Sequence, residues 1–458
     1  MMKKRIASSP SLRVLVHHRD FRLVWTAGLI SMMGDWVLWI VLPIRVYELT
    51  GSSLATSGLV ASIVGPRIVF GSFSGVFVDR WDRRRTMMFA SLGQAAVVIP
   101  LLLIDTSGMI WVAYPVLAVA ATLSTFSDPA ENAFLPRLVP GDELVAANAL
   151  NALNNNLARL VGPALGGVLY LVGGLTLVTV TDAITFLVAA LLLVVVRADG
   201  RPDRSERVED DPATPVGALA RVGHEWVDGL RSIRRSRPVT VILAVAGATA
   251  IGEGIFSVMF LIWITEALSG GVPQLGWFMS AQAVGGLLGA LVIGFFARRF
   301  TPERLFGGGL LAFGILDLVL FNYPLVLSGI ALGLVLIVLV GIPSVAANSG
   351  RQTLLQRDVP DRYRGRVFAA LGTTSATLML VATLVAGVVG ETVGPIAMLN
   401  VQGAAYVVSG VVVLVLLAPA RLARAARARD PLQPLPVSAA SSASASSGEK
   451  PHGPGLPG

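Results

Sequence analysis

Twelve apolar runs, each long enough to cross a bilayer, constrain this chain more than any other feature. A hydrocarbon core about 30 Å thick is crossed by a helix of roughly 20 apolar residues. The sequence therefore predicts an all-α polytopic membrane protein with twelve transmembrane helices. The runs lie near residues 22–46, 53–78, 86–104, 109–132, 147–171, 173–196, 238–265, 273–297, 304–322, 325–349, 366–389 and 395–418.

The composition supports this prediction and excludes several other classes of protein. Hydrophobic residues make up 54% of the 458 residues and charged residues only 14%, so most of the chain must lie in lipid. Cysteine is absent and the four histidines are scattered, which excludes a disulfide framework and predicts no metal site. The net charge of +8 would suit nucleic acid, but the basic residues form short clusters between the apolar runs. We therefore expect no nucleic-acid partner.

The loops between the runs differ sharply in charge. One set contains nearly every Lys and Arg, and it comprises 80–85, Arg137, 197–237, 298–304, 351–366 and both tails. The opposite set contains no Lys or Arg, and it comprises 47–53, 105–109, 171–175, 266–273, 322–326 and 389–395. Because basic loops stay in the cytoplasm, we expect a multi-pass protein of the cell (inner) membrane with both termini in the cytoplasm.

The one long connection divides the chain into two sets of six helices. We predict a cytoplasmic N-terminal segment (1–21), an N-terminal bundle (22–196), a cytoplasmic linker (197–237), a C-terminal bundle (238–418) and a disordered cytoplasmic tail (419–458). The linker carries Ala218, Val222 and Trp226 at helical spacing beside charged residues, which indicates an amphipathic helix on the inner membrane face.

A weak internal repeat relates the two sets. Residues 138–140, before the fifth run, correspond to 358–360, before the eleventh, and Gly34-Asp35 in the first run corresponds to Gly252-Glu253 in the seventh. The offsets, 220 and 218 residues, nearly agree. This agreement favours duplication over chance similarity between apolar segments.

The loop between the second and third runs carries an acid and several bases at fixed spacing. Residues 75–85 read Gly-Val-Phe-Val-Asp-Arg-Trp-Asp-Arg-Arg-Arg. This resembles the signature loop of the major facilitator superfamily, with Asp82 standing where that pattern has a second Gly. The resemblance implies a gating loop in which arginines pair with acids at the ends of neighbouring helices, and we expect Asp128 and Glu131 to receive Arg83 or Arg84. The matching loop residues are Gly75, Asp79, Arg80, Arg83 and Arg84.

The fifth run contains a proline flanked by glycines. Residues 156–167 read Asn-Leu-Ala-Arg-Leu-Val-Gly-Pro-Ala-Leu-Gly-Gly, in which the proline bends the helix and the glycines permit close packing. The core of this segment is similar to the helix-five motif of proton-coupled drug antiporters in the same superfamily. The resemblance favours export, and a packing kink without any transport direction is the alternative. The motif residues are Arg159, Gly162, Pro163, Gly166 and Gly167.

Residues 135–171 as a whole, together with Gly34-Asp35 and Thr181-Asp182, look like the efflux branch of the superfamily that holds macrolide and siderophore (enterobactin) exporters. The resemblance covers residues 18–418 and implies two six-helix bundles around a central cavity. The same branch includes a lysophospholipid transporter, so the resemblance leaves the substrate open.

Carboxylates inside apolar runs are costly enough to be functional candidates by default. Asp35 lies about 18 Å deep at 1.5 Å per residue, too far to reach water along its own helix, so it must face a cavity or a partner. Such a carboxylate can exchange protons when its surroundings disfavour the charge. The proton-coupling candidates are Asp35, Glu253, Asp182 and Asp317, with a static ion pair or hydrogen bond as the alternative for each.

We find no phosphate-binding loop, metal-ligand pair or activated nucleophile in the sequence, so we expect neither an enzyme nor a cofactor. The prediction is a monomeric secondary transporter that couples protons to export of a small amphiphilic compound, such as a drug, macrolide or siderophore. The alternatives are a lysophospholipid transporter of the same fold and a membrane sensor that transports nothing.

Overall fold

The computed structural model describes residues 10–78, 80–201, 237–296, 299–359 and 361–417. Every regular element in these residues is helical, as the sequence predicts. The predicted amphipathic linker helix, apart from the edges of its segment, and the predicted disordered tail lie outside the described residues.

The structure consists of a short N-terminal helix and eleven long helices in the described residues. We number the helices α1 Pro10–His17, α2 Arg19–Thr50, α3 Ser53–Val78, α4 Arg83–Val98, α5 Ala113–Leu138, α6 Leu144–Val195, α7 Arg237–Ala267, α8 Val272–Phe296, α9 Pro302–Asn322, α10 Ile330–Asp358, α11 Asp361–Val393 and α12 Pro395–Leu416. Within the described residues, eleven helical segments are long and apolar enough to cross a membrane.

Helix α6 contains two of the twelve predicted spans. Its 52 residues would extend about 78 Å at 1.5 Å per residue, more than twice the thickness of a hydrocarbon core. Gly173 and Gly174 leave the helical conformation, and Gly174 has a φ of 60°, which glycine adopts without strain. The chain therefore turns back at this point, and the two arms, 144–172 and 175–195, are the fifth and sixth spans.

Some helices extend beyond their apolar runs. The sequence pattern ends the tenth span near residue 349 and assigns 351–366 to a basic loop, but α10 continues to Asp358. Its last turns are polar, and a local hydropathy pattern cannot distinguish such turns from a loop. Arg351 is consequently a helical residue.

The helices form two halves, α1–α6 and α7–α12, that contact each other along two seams. One seam joins the first arm of α6 to α8, and the other joins α3 to α11. In the first half α2 packs along α6, and in the second half α9 packs along both α10 and α12. The predicted bundle boundaries at 196 and 238 fall on either side of residues 202–236, which the structure does not describe, and they remain predictions.

The two halves are joined most closely at the end of the molecule that carries the loops without Lys or Arg, which we call the low-charge end. Ser53 there donates a hydrogen bond of 2.7 Å to the carbonyl of Gly387, and Tyr47 donates one of 2.5 Å to Glu266. On the other seam, Ser280 donates to the carbonyl of Leu160 nearer mid-depth. The opposite end, with the basic loops, is called the basic end below.

Candidate functional site

A polar cavity lies between the two halves. Asp35 and Glu253 lie near the middle of α2 and α7, yet both side chains are exposed. Asp128 of α5 and Arg159 of α6 are exposed as well. Because the halves are joined at the low-charge end, these exposed charges indicate that the cavity opens toward the basic end.

The first half contributes an acidic cluster to this cavity. Asp35 interacts electrostatically with Asp128 and with Arg67 of α3. Glu131, one turn along α5 from Asp128, accepts a hydrogen bond of 3.3 Å from Asn151. Asp35 and Asp128 thus share one arginine, and Glu131 adds a third carboxylate beside Asp128, an arrangement that favours retention of a proton or attraction of a cation.

Asp182 lies behind this cluster. Its side chain is fully buried on the second arm of α6, and neither oxygen has a hydrogen-bond partner among the described residues. It packs against the backbone of α2 at Gly34, where a Cβ would lie 2.5 Å from one of its oxygens. Asp182 and Asp35 interact electrostatically. The first half therefore holds an exposed acid with a buried acid behind it.

The second half repeats this arrangement with different partners. Glu253 accepts a hydrogen bond of 2.7 Å from the hydroxyl of Tyr406. The buried Asp317 accepts one of 3.2 Å from Gln402 and interacts electrostatically with Glu253. Arg351 of α10 also interacts electrostatically with Glu253. All four predicted coupling candidates thus fall into two pairs, one in each half.

The internal repeat extends to these clusters. Gly34 packs against Asp182, and Gly252, its counterpart in the repeat, packs against Gln402, which is 220 residues after Asp182. At the same offset Asp128 corresponds to Asn348 and Glu131 to Arg351. The equivalent positions have therefore kept their places in the fold while their charges diverged.

The predicted gating loop lies at the basic end. Arg83 is buried and donates to the carbonyl of Ala133, and Arg84 donates to the carbonyls of Leu193 and Val194 at 2.9 and 2.7 Å. Gly75 lies within α3, Arg80 is exposed in the turn that follows, and Asp79 lies outside the described residues. The loop thus anchors the ends of α5 and α6 to the start of α4.

One expectation about this loop differs from the structure. The acceptors of Arg83 and Arg84 given above are backbone carbonyls, whereas Asp128 and Glu131 belong to the acidic cluster on α5. Asp82, which departs from the family pattern, caps α4 by accepting a hydrogen bond of 3.0 Å from the backbone NH of Arg85. A gating role for these residues remains a prediction.

The glycines of the helix-five motif face two different neighbours. A Cβ on Gly162 would lie 2.5 Å from the Cβ of Trp36, and one on Gly166 would lie 3.0 Å from the Val37 carbonyl, so both permit the approach of α2. Gly167 instead faces α8 at Pro273, and the carbonyl oxygen of Pro163 contacts Gly276. The motif thus serves contact within the first half and contact across the seam.

Arg159 completes the motif by reaching across the cavity. Its guanidinium donates a hydrogen bond of 2.8 Å to Gln282 of α8. This contact joins the two halves near mid-depth, where the seam between α6 and α8 ends and the cavity begins.

Sequence reasoning missed two residues of the cavity. The sequence pattern places Arg351 in a basic loop, and Tyr406 is one aromatic residue among many apolar ones in the twelfth run. The repeat offered a signal for Arg351, because the offset of 220 residues makes its position equivalent to that of Glu131 in the first half. Tyr406 offered no such signal, since its hydroxyl becomes meaningful only when α12 is packed against α7.

Hydrogen bonds to two glutamates close the low-charge end. Tyr47 donates to Glu266 between α2 and α7, and Ser52 donates to Glu391 of α11 at 2.7 Å. Both bonds are exposed to water, so each contributes roughly 0.5–1.5 kcal/mol, the usual net value for a hydrogen bond. These two contacts therefore favour the closed form of this end.

We expect the double variant Tyr47→Phe with Ser52→Ala to open the low-charge end about tenfold more often. The chain has no cysteine, so a single Ser57→Cys probe at the buried contact between α3 and α11 reports opening without background. Maleimide labelling of Ser57→Cys should accelerate in the double variant. Equal labelling rates with and without the two substitutions would show that these hydrogen bonds do not hold the end closed.

Two sets of spanning helices around a charged cavity, joined at one end, define a membrane transporter of the major facilitator fold. A family model described as transmembrane secretion effector matches residues 13–446. The chain therefore belongs to this family of the major facilitator superfamily.

Its relatives include efflux transporters. The chain is 28% identical over 402 residues to the MFS-type transporter YfiS of Bacillus subtilis, with 84% of this chain and 90% of the relative covered. It is 24% identical to macrolide efflux protein A of Streptococcus pyogenes, with 82% and 90% covered. It is 28% identical to the multidrug efflux pump Tap of Mycolicibacterium fortuitum, with 81% and 89% covered. These are transporters and not enzymes.

Solved structures confirm the fold. A bacterial homologue of the iron transporter ferroportin in its inward-facing state superimposes with a TM-score of 0.66 at 17% identity, with 86% of this chain and 98% of that chain covered. The chain is thus a multi-pass membrane transporter whose relatives include efflux transporters.

Proposed function

We propose that the protein exports a small amphiphilic compound in exchange for protons by alternating access. Its basic end and both termini face the cytoplasm, so the form described here is open to the inside. The efflux relatives support the direction of transport. The basic loops support the orientation, because positively charged loops are retained in the cytoplasm.

The observation that carries the proposal is the pair formed by Asp35 and Asp182. An ionised carboxylate without a partner is costly inside a membrane protein, and the cost is reduced when a proton is bound. Asp35 is exposed to the cavity, and Asp182 interacts with it from behind. A proton can therefore reach the two carboxylates from the cavity. Binding of the proton changes the charge at the contact between α2 and α6.

A coupled exporter needs two forms of the cavity, each open at one end. The hydrogen bonds at the low-charge end supply contacts that can break. The gating loop at the basic end lies beside the helices that must approach each other when that end closes. Protons or cargo would then shift the balance between the two forms, because each binds one form more tightly than the other.

The experiment that tests this proposal is accumulation of a fluorescent amphiphilic dye in cells. Cells that express the protein should accumulate less dye than cells with the empty vector, and a protonophore should abolish the difference. If a broad panel of dyes shows no difference between the two strains, drug export is wrong, and movement of lysophospholipids across the membrane is the next activity to measure.

A further inference from the structure

The polar cavity extends into the C-terminal half as a pocket around Glu253. It has a volume of about 290 Å³ and is lined by residues of α7, α9, α10, α11 and α12. Its polar lining includes Thr249, Glu253, Asn348, Arg351 and Tyr406. One guanidinium and one carboxylate thus line the same small volume.

The lining also has an apolar part, beside two further hydroxyl groups from Ser344 and Ser375. The apolar part comes from the side chains of Phe306, Leu310, Phe313 and Met379. Phe313 packs against the ring of Tyr406 with the ring centroids 4.6 Å apart. The pocket therefore combines a charged part with an apolar wall, and such a combination suits the head group and the first carbons of an amphiphile.

The hydrogen bonds in the pocket leave the guanidinium of Arg351 available. One nitrogen donates to Asn348, one turn earlier on the same helix, at 2.9 Å. Glu253 is the nearby acid, but its oxygen accepts from Tyr406, and the described residues include no carboxylate at ion-pairing distance from Arg351. Arginine has five N–H donors in a planar fork that matches a carboxylate. Several of those donors are therefore free to bind a ligand.

We propose that this pocket is an anion subsite in which Arg351 binds the carboxylate head group of an amphiphilic cargo. The nearby Glu253 limits the charge of the head group to one, because it would repel a dianion such as a phosphate monoester. Thr249 and Asn348 offer further polar groups, and the apolar wall contacts the chain of the cargo. This inference rests on the proposed function only in treating the ligand as a cargo. Binding of the ligand to the pocket requires no transport.

Equilibrium binding to the purified full-length protein in lipid nanodiscs tests the proposal. The probes are decanoate, decyl phosphate, decanol and decylamine, which share one tail and differ in head group. We expect decanoate to bind at least tenfold more tightly than the other three by calorimetry. Arg351→Gln should remove this preference, and Arg351→Lys should retain part of it because the charge remains.

A matched control and a second variant keep the test decisive. Arg304→Gln removes the same charge from an exposed position on α9 and should leave decanoate affinity unchanged. Tyr406→Phe frees Glu253 to pair with Arg351 without removing the arginine, so it should lower decanoate affinity at least threefold. This variant still tests the proposal if the Arg351→Gln protein does not fold.

Either of two results would overturn the subsite. One is equal affinity for decanoate and decanol, and the other is an unchanged preference in folded Arg351→Gln or Tyr406→Phe protein. A preference for decyl phosphate over decanoate would also contradict the proposal that the pocket binds a head group with a single negative charge. Because these measurements use neither a proton gradient nor cells, a failed dye experiment leaves them interpretable, and a failed binding experiment leaves proton-coupled export standing.

Discussion

Asp35→Asn is expected to reduce export to the level of the empty vector, a loss of at least tenfold. Asparagine has nearly the same shape as aspartate, but it can neither ionise nor bind a proton at neutral pH. The side chain is exposed in the cavity, so the substitution removes no packing contact from a buried core. The measurement is dye accumulation with and without a protonophore, normalised to the amount of protein in the membrane.

The matched control is Asp142→Asn, which makes the same chemical change at an exposed position between α5 and α6 and should retain export. Binding of the dye to purified Asp35→Asn protein separates loss of coupling from loss of cargo binding. If Asp35→Asn cells still export the dye and the protonophore still abolishes that export, the proton is carried elsewhere, and Glu253 becomes the first residue to examine.

Gly276→Ala is expected to reduce export at least tenfold by a different route. Gly276 lies on α8 against the carbonyl oxygen of Pro163, and an added Cβ would clash with that backbone atom. Backbone atoms of two packed helices cannot rotate away as a side chain can, so the seam between α6 and α8 must open. The closed form of the low-charge end is thereby destabilised.

The comparison for this prediction is Gly286→Ala on the same helix, where an added Cβ meets no other atom within 4 Å in the described structure. The Ser57→Cys probe should be labelled faster in Gly276→Ala protein and at the original rate in Gly286→Ala protein. Similar export and similar labelling in the two alanine variants would contradict the role assigned to this seam.

The number and kind of the helices could be predicted from the sequence because each span must be long and apolar. The boundaries were harder to predict. The sequence pattern places Arg351 in a loop because the last turns of α10 are polar, although the helix continues to Asp358. The reversal at Gly173 and Gly174 was expected only as a short loop, since its geometry depends on one positive φ.

The acids of the candidate site could be predicted individually, because each is a charge in an apolar run. Their pairing could not, since it depends on how helices distant in sequence pack together. Asp182 meets Asp35 because α2 approaches α6 at Gly34, and Tyr406 meets Glu253 across α7 and α12. The partners of Arg84 were mispredicted for a related reason, because backbone carbonyls at a helix end carry no sequence signature.

The divergence of the repeated positions has a consequence for how this protein and its relatives can evolve. The first half has Asp128, Glu131 and Asp182 where the second half has Asn348, Arg351 and Gln402. Under the functions proposed above, one half is committed to the ion and the other to the cargo. New substrate preferences can then arise by substitutions on α7, α10 and α12 while the energy source stays unchanged, so we expect natural variation in substrate preference to concentrate on those three helices.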